Sequence, residues 1–206
     1  MPNKKTGLIW IGVIVVILAL TIYFANRTKT APLTITDSST LPGMQSNDAP
    51  WQPEIGNLRN RLAAIKLPAL SQEGQALHIH QHLDIYIHGK SEVIPSHIGI
   101  NEIEGFISPI HVHDTTGIIH VESPVIQDFT FGQFFDIWGL RFSASCIGSY
   151  CNDDKNSLKV FVNGKPYVGD PRDLVLAAHQ EIVITYGTDA EIPTSIPSTY
   201  TFPAGY

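Results

Sequence analysis

Nine histidines occur in this 206-residue chain, and eight of them fall between His78 and His120. Three pieces carry the spacing that matters: His78-Ile-His80-Gln-His82-Leu-Asp84, His111-Val-His113-Asp114 and His120-Val-Glu122. A strand sends alternate side chains to the same face, so His-x-His sets two imidazoles side by side, roughly 7 Å apart at Cα. That is near enough to chelate one ion, and neutral imidazole suits zinc, copper, iron and nickel. A lone histidine on a strand is ordinarily a solvated or hydrogen-bonded side chain. Five alternating histidines in two such pieces, with His120 beside them, exceed what average usage delivers. A metal-free role for the same face, such as pH sensing, is the rival reading.

The second and third pieces are expected to pair. Asp114-Thr-Thr-Gly117 reads as a tight turn. A two-residue loop sets His113 opposite Ile118 and His111 opposite His120, and cross-strand partners share a face about 5 Å apart. His111, His113 and His120 then offer three imidazoles with a fourth position open, as in catalytic zinc sites. Asp114 and Glu122 are expected to orient these rings by hydrogen bonds to their outer nitrogens, with Asp84 in that role on the first strand. His78, His80 and His82 either complete the same site or make a second. A weaker alternative takes His82-x-Asp84 plus a distant histidine as a facial triad for iron. Zinc or copper is favoured over iron. His88, His97 and His179 read as turn or loop residues.

The elements that must hold these residues follow from periodicity. Leu77, Ile79, Leu83, Ile85 and Ile87 alternate with the first three histidines, so that strand is apolar on its other face. Leu83 to Val93 and Leu158 to Val168 share a hairpin pattern in which His88 falls at the place of Asn163, a turn residue. Glu54 to Leu67 carries Ile55, Leu58, Leu62 and Ile65 at helical spacing, a short amphipathic helix ended by Pro68. Thr130 with Gln133 forms a capping box, and Phe131, Phe134, Phe135 and Trp138 follow as a core-facing stripe before Gly139. Ile182 to Tyr186 reads as a buried strand. The class is α+β with a mainly antiparallel sheet, and the order of elements within Ile118 to Tyr186 resembles a β-grasp arrangement.

Residues Gly7 to Ala25 carry neither charge nor proline, and a helix of about 19 residues spans the hydrocarbon core. The expected organisation is a transmembrane anchor over residues 1–27, a disordered linker over 28–53, the histidine-rich domain over 54–187 and an extended tail over 188–206. The cleavage signal after the span is weak, so the anchor is expected to be retained. Basic residues flank both sides, and the short basic lead favours a cytoplasmic N-terminus with the domain outside. Cys146 and Cys151 enclose Ile-Gly-Ser-Tyr and most simply form a disulfide in that compartment. A blue-copper site would want a methionine inside the domain, and Met1 and Met44 lie before it. The net charge of -6 argues against nucleic acid.

Together these features predict a membrane-anchored extracytoplasmic domain that binds a transition metal. It would act as a metal-activated hydrolytic centre or as a carrier or sensor that hands ions to a membrane protein. The alternative is a metal-free envelope protein-interaction module. No nucleophile motif, phosphate loop or paired catalytic carboxylates names a reaction. The run His78 to Gly89, with Ile110 to Pro124 and Phe129 to Gly139, resembles an uncharacterised family of bacterial and archaeal membrane-anchored, His-rich extracytoplasmic proteins. That resemblance implies no activity. The His-x-His pieces are also similar to cupin and carbonic anhydrase strands, but the glycine and carboxylate spacing of a cupin is not met. The likeness to carbonic anhydrase stops at the His-x-His…His order.

Overall fold

A computed structural model describes residues 38–206. The anchor expected over 1–27 lies outside the described residues, as does the start of the linker. Among the described residues no helix is long and apolar enough to cross a membrane.

The centre of the fold is β1 (Leu77–Ile87), the longest strand. One side of it pairs in parallel with β11 (Glu181–Gly187), from His82 opposite Glu181 to Ile87 opposite Tyr186. The other side is shared end to end. β6 (Ile118–Ser123) runs antiparallel along Leu77 to His82, and β2 (Lys90–Glu92) along Ile85 to Ile87. β6 in turn pairs with β5 (Ile110–His111), and β11 with β9 (Ser157–Val162), which makes a hairpin with β10 (Lys165–Pro166). The strand order is β10-β9-β11-β1-β6-β5, with β2 on β1. Two small hairpins stand apart: β3 (Ile100–Asn101) with β4 (Phe106–Ile107), and β7 (Cys146–Ile147) with β8 (Tyr150–Cys151). One parallel pair in an otherwise antiparallel sheet, with two helices, gives an α+β class.

Every residue of β11 is buried, which suits a strand covered on both faces. The pair of strands expected before the aromatic helix began at Ile118. In the fold β1 and β2 form the hairpin that precedes it, and the Ile118 strand is added alongside. The reason is length: β1 is long enough to take β11 along its second half and β6 along its first.

The apolar face of the sheet packs into one core with α1 (Leu58–Ala64) and α2 (Phe131–Trp138). Thr130 caps α2 through the expected box with Gln133, and Gly139 closes it at φ 77°. Its aromatic stripe is core, as expected. Phe135 stacks on Phe142 at 4.0 Å between centroids. Buried Arg172 donates to the Phe142 carbonyl at 3.0 Å and to both oxygens of buried Asp136, at 2.9 and 2.8 Å. On α1, shorter than expected, Arg61 is fully buried and reaches Glu54 and the Ile137 carbonyl. The tether expected to run to Pro53 ends earlier. Leu41 and Trp51 are both buried, and Gln45 bridges to Leu140. Isolated apolar residues in a polar stretch dock on the core without any period to announce them.

Gly117 occupies the gap where β6 gives way to β2. Its carbonyl accepts from Leu83 N at 3.0 Å, its φ is +83°, and a Cβ there would stand 2.6 Å from the Leu83 oxygen. Left-handed strain and that contact together cost about 2 kcal/mol or more. Gly117→Ala is therefore expected to lower Tm by about 4 to 8 °C in a circular dichroism melt. A shift below about 2 °C would mean that the turn accommodates a side chain.

Candidate metal centre

Three adjacent strands bring their histidines into one row. His80 on β1 faces His120 on β6, and His120 faces His111 on β5. One step along, His78 faces Glu122. The turn that fixes this register is the expected one: Asp114 Oδ1 accepts the Thr116 amide at 2.8 Å and also the Thr116 hydroxyl. The ladder ends at His111, so His113 is not paired with Ile118 as expected. Its ring packs against those of His111 and His120, at 4.7 and 4.6 Å between centroids.

The nitrogen atoms converge. His111 Nε2 and His113 Nε2 lie 3.1 Å apart. His111 Nδ1 donates to the Ser108 carbonyl at 3.0 Å, which leaves the Nε2 lone pair facing inward. His120 Nδ1 stands 3.1 Å from Glu122 Oε1. Donor atoms of His111, His113, His120 and Glu122 all lie within 4.8 Å of one another, as do those of His78, His80 and Glu122. Two nitrogens on one tetrahedral ion at about 2.0 to 2.1 Å stand about 3.3 Å apart, close to the separations seen here.

Burial sets the charge states. It pushes the His111 imidazole down to about 3, against a usual 6.5, and His80 down to about 4. His113 is lowered for the same reason, with the neighbouring His120 adding to it. These rings are neutral at physiological pH, the form a metal requires. Burial also opposes ionisation of Glu122. The hydrogen bond from His120 and the surrounding imidazoles outweigh it, and the carboxyl is held below its usual range. Glu122 is only 3% exposed, and its ionic partners are His120 and His78. Among the described residues no lysine or arginine pairs with it. A buried carboxylate among imidazoles is a place for a cation.

His82, expected as a further ligand, is not part of this set. Its Nδ1 contacts Glu181 Oε2 at 2.9 Å and its Nε2 the Thr116 carbonyl at 3.0 Å. The Thr116 carbonyl can only accept, so Nε2 donates to it, and Nδ1 is taken up by Glu181. Burial lowers the affinity of this ring for a proton, yet the Glu181 carboxylate more than compensates and the pKa is raised. His82 joins β1, β11 and the Asp114 turn. Tyr200 stacks on it at 3.7 Å between ring centroids.

The carboxylates divide in the same way. Asp84 groups with His82 and Glu181 in a third donor set that could hold a cation, away from the converging imidazoles; one histidine with two carboxylates is not the two-histidine facial triad. Asp114 holds the turn and does not orient a ring. Glu122, expected as an outer partner, stands among the donors themselves. Cys146 and Cys151 form the expected disulfide between β7 and β8 and take no part. His88, His97 and His179 have φ of 49°, 65° and 59°, as turn residues do.

Four residues near the histidines escape sequence reasoning. Glu73 reaches His113 Nε2 at 3.4 Å, and Glu181 reaches His82. Tyr200 and Tyr206 belong to the segment expected as a bare extended arm. That segment instead crosses the histidine face, with the Tyr206 ring 4.5 Å from His80 and 5.4 Å from His120. Aromatic residues in a Pro-, Ser- and Thr-rich stretch were the available signal. No family model matches the chain, and searches of curated proteins and of solved structures find no match.

The depressed histidines make a pH prediction for chelator-treated protein. The unfolded chain protonates His111 below 6.5, whereas the folded chain does so only near 3. The unfolded state thus binds more protons in that window, and stability is lost as pH falls. His80 acts in the same direction. His82, with its raised pKa, opposes them, since its contribution is lost as pH rises. Tm is expected to fall between pH 7 and pH 4.5, and less steeply in His111→Gln. An equal slope in that variant would show that His111 takes no part.

Proposed function

We propose that this protein is a membrane-anchored, extracytoplasmic domain that binds a transition metal, zinc or copper ahead of iron, through His111, His113 and His120. The observation that carries the reading is the convergence of imidazole nitrogens on a buried Glu122 that pairs with no lysine or arginine among the described residues. The uncharged apolar run Gly7 to Ala25 supports the anchor, and the Cys146–Cys151 disulfide suits an oxidising compartment. The order β2-β1-β11-β9-β10, with a central parallel pair and α2 between the two hairpins, supports a β-grasp-like fold extended by β6 and β5. A metal-free interaction module fits less well, because Tyr200 and Tyr206 already lie on the histidine face.

The test is metal analysis of the full chain, purified in mild detergent without a histidine tag. Near-stoichiometric zinc or copper and a Tm that drops on chelation are expected. In His111→Ala the affinity for Zn(II) should weaken by at least about 100-fold, since loss of a residue that merely supports a ligand already costs about 10- to 100-fold. Wild-type protein whose Tm ignores chelator, Zn(II) and Cu(II) alike would remove metal binding as its function.

A further inference from the structure

We infer that the histidine face holds two metal ions, one at His111, His113 and His120 and one at His78 and His80, with Glu122 shared between them. The inference rests on the metal-binding reading above and extends it in number and geometry. Of the three donor groups among the described residues, two meet at one shared residue, Glu122, whereas the third, of His82, Asp84 and Glu181, shares none. In the second set His78 Nε2 and His80 Nε2 lie 3.2 Å apart, nearly the spacing of the His111–His113 pair. His78 Nε2 is also 3.2 Å from Glu122 Oε1. Each pair is therefore a bidentate imidazole clamp on the same carboxylate.

Glu122 is built for sharing. Its Oε1 stands between His120 and His78, while its Oε2 is buried without a hydrogen-bond partner. A buried carboxylate oxygen without a donor is costly unless a cation is its partner. Strand pairing enforces the arrangement. Glu122 sits directly opposite His78, and His120 directly opposite His80. The His80 and His120 rings are 4.6 Å apart, so the two ions would be close neighbours, as in two-metal sites. The sites differ in depth. His111 is fully buried, whereas the side chain of His78 is 48% exposed, so the His78–His80 ion should bind more weakly and load second.

The experiment is a Zn(II) titration of the chelator-stripped full chain in detergent, with bound ions counted per chain by native mass spectrometry. Wild type should bind two ions, and His80→Ala and His78→Ala one each. Glu122→Gln should weaken the second ion at least tenfold. The Tm of each stripped variant reports folding, and half-exposed His78 keeps the test valid if His80→Ala does not fold. Two ions with unchanged affinities in Glu122→Gln would overturn the sharing. One ion in wild type, lost in His111→Ala, would overturn the two-ion inference and leave the single-site reading standing, whether or not His80→Ala also loses it. No ion in wild type would overturn both.

Discussion

Leu83, Ile85 and Ile87 are buried in the core, while His78, His80 and His82 project to the opposite side of the same strand. Both sets depend on β1 keeping its register with β11 and β6. Because side chains alternate strictly, a slip of one residue would turn the apolar set away from the core and the imidazoles into it. The register is pinned from both sides, by the Asp114–Gly117 turn against Leu83 and by His82 held between Glu181 and the Thr116 carbonyl. His82 therefore serves the converging imidazoles by holding the register of their strand.

The treatment of buried charge divides the molecule. Asp136 is met by Arg172, Glu54 by Arg61 and Glu181 by His82. In each case the partner is a side chain fixed by the fold. Burial still raises Asp136 to about 6 despite its arginine, a measure of how dry that interior is. Glu122 is the exception, with imidazoles where an arginine would stand elsewhere. Two of these carboxylates meet an arginine and one a single imidazole, whereas Glu122 stands against two imidazoles and leaves Oε2 without a donor.

The local parts of this arrangement were legible in the sequence. Asp114-Thr-Thr-Gly117 fixed a turn, and from the turn His111 had to meet His120. Thr130, Gln133 and the aromatic spacing gave α2 with its cap. What escaped was non-local. The partnership of His82 with Glu181 spans 99 residues and arises from a parallel pairing, which no adjoining turn records. Strand period alone could say only that His78, His80 and His82 share a face, not that the neighbour of the third is an acid and the neighbour of the second an imidazole. Leu41 and Trp51 were read as tether because single apolar residues carry no period, although each is buried.

The pairing of β1 has another effect. With β11 along its second half and β6 and β2 end to end on the other side, the longest strand lies inside the sheet. The outer strands of the main sheet are β5 and β10, each of two residues, and β2, of three, and β10 includes Pro166. Strands this short, one of them lacking an amide hydrogen at the proline, cannot template the addition of another chain. The sheet is thus guarded against edge-to-edge aggregation, and a macromolecule that recognises it must approach a face.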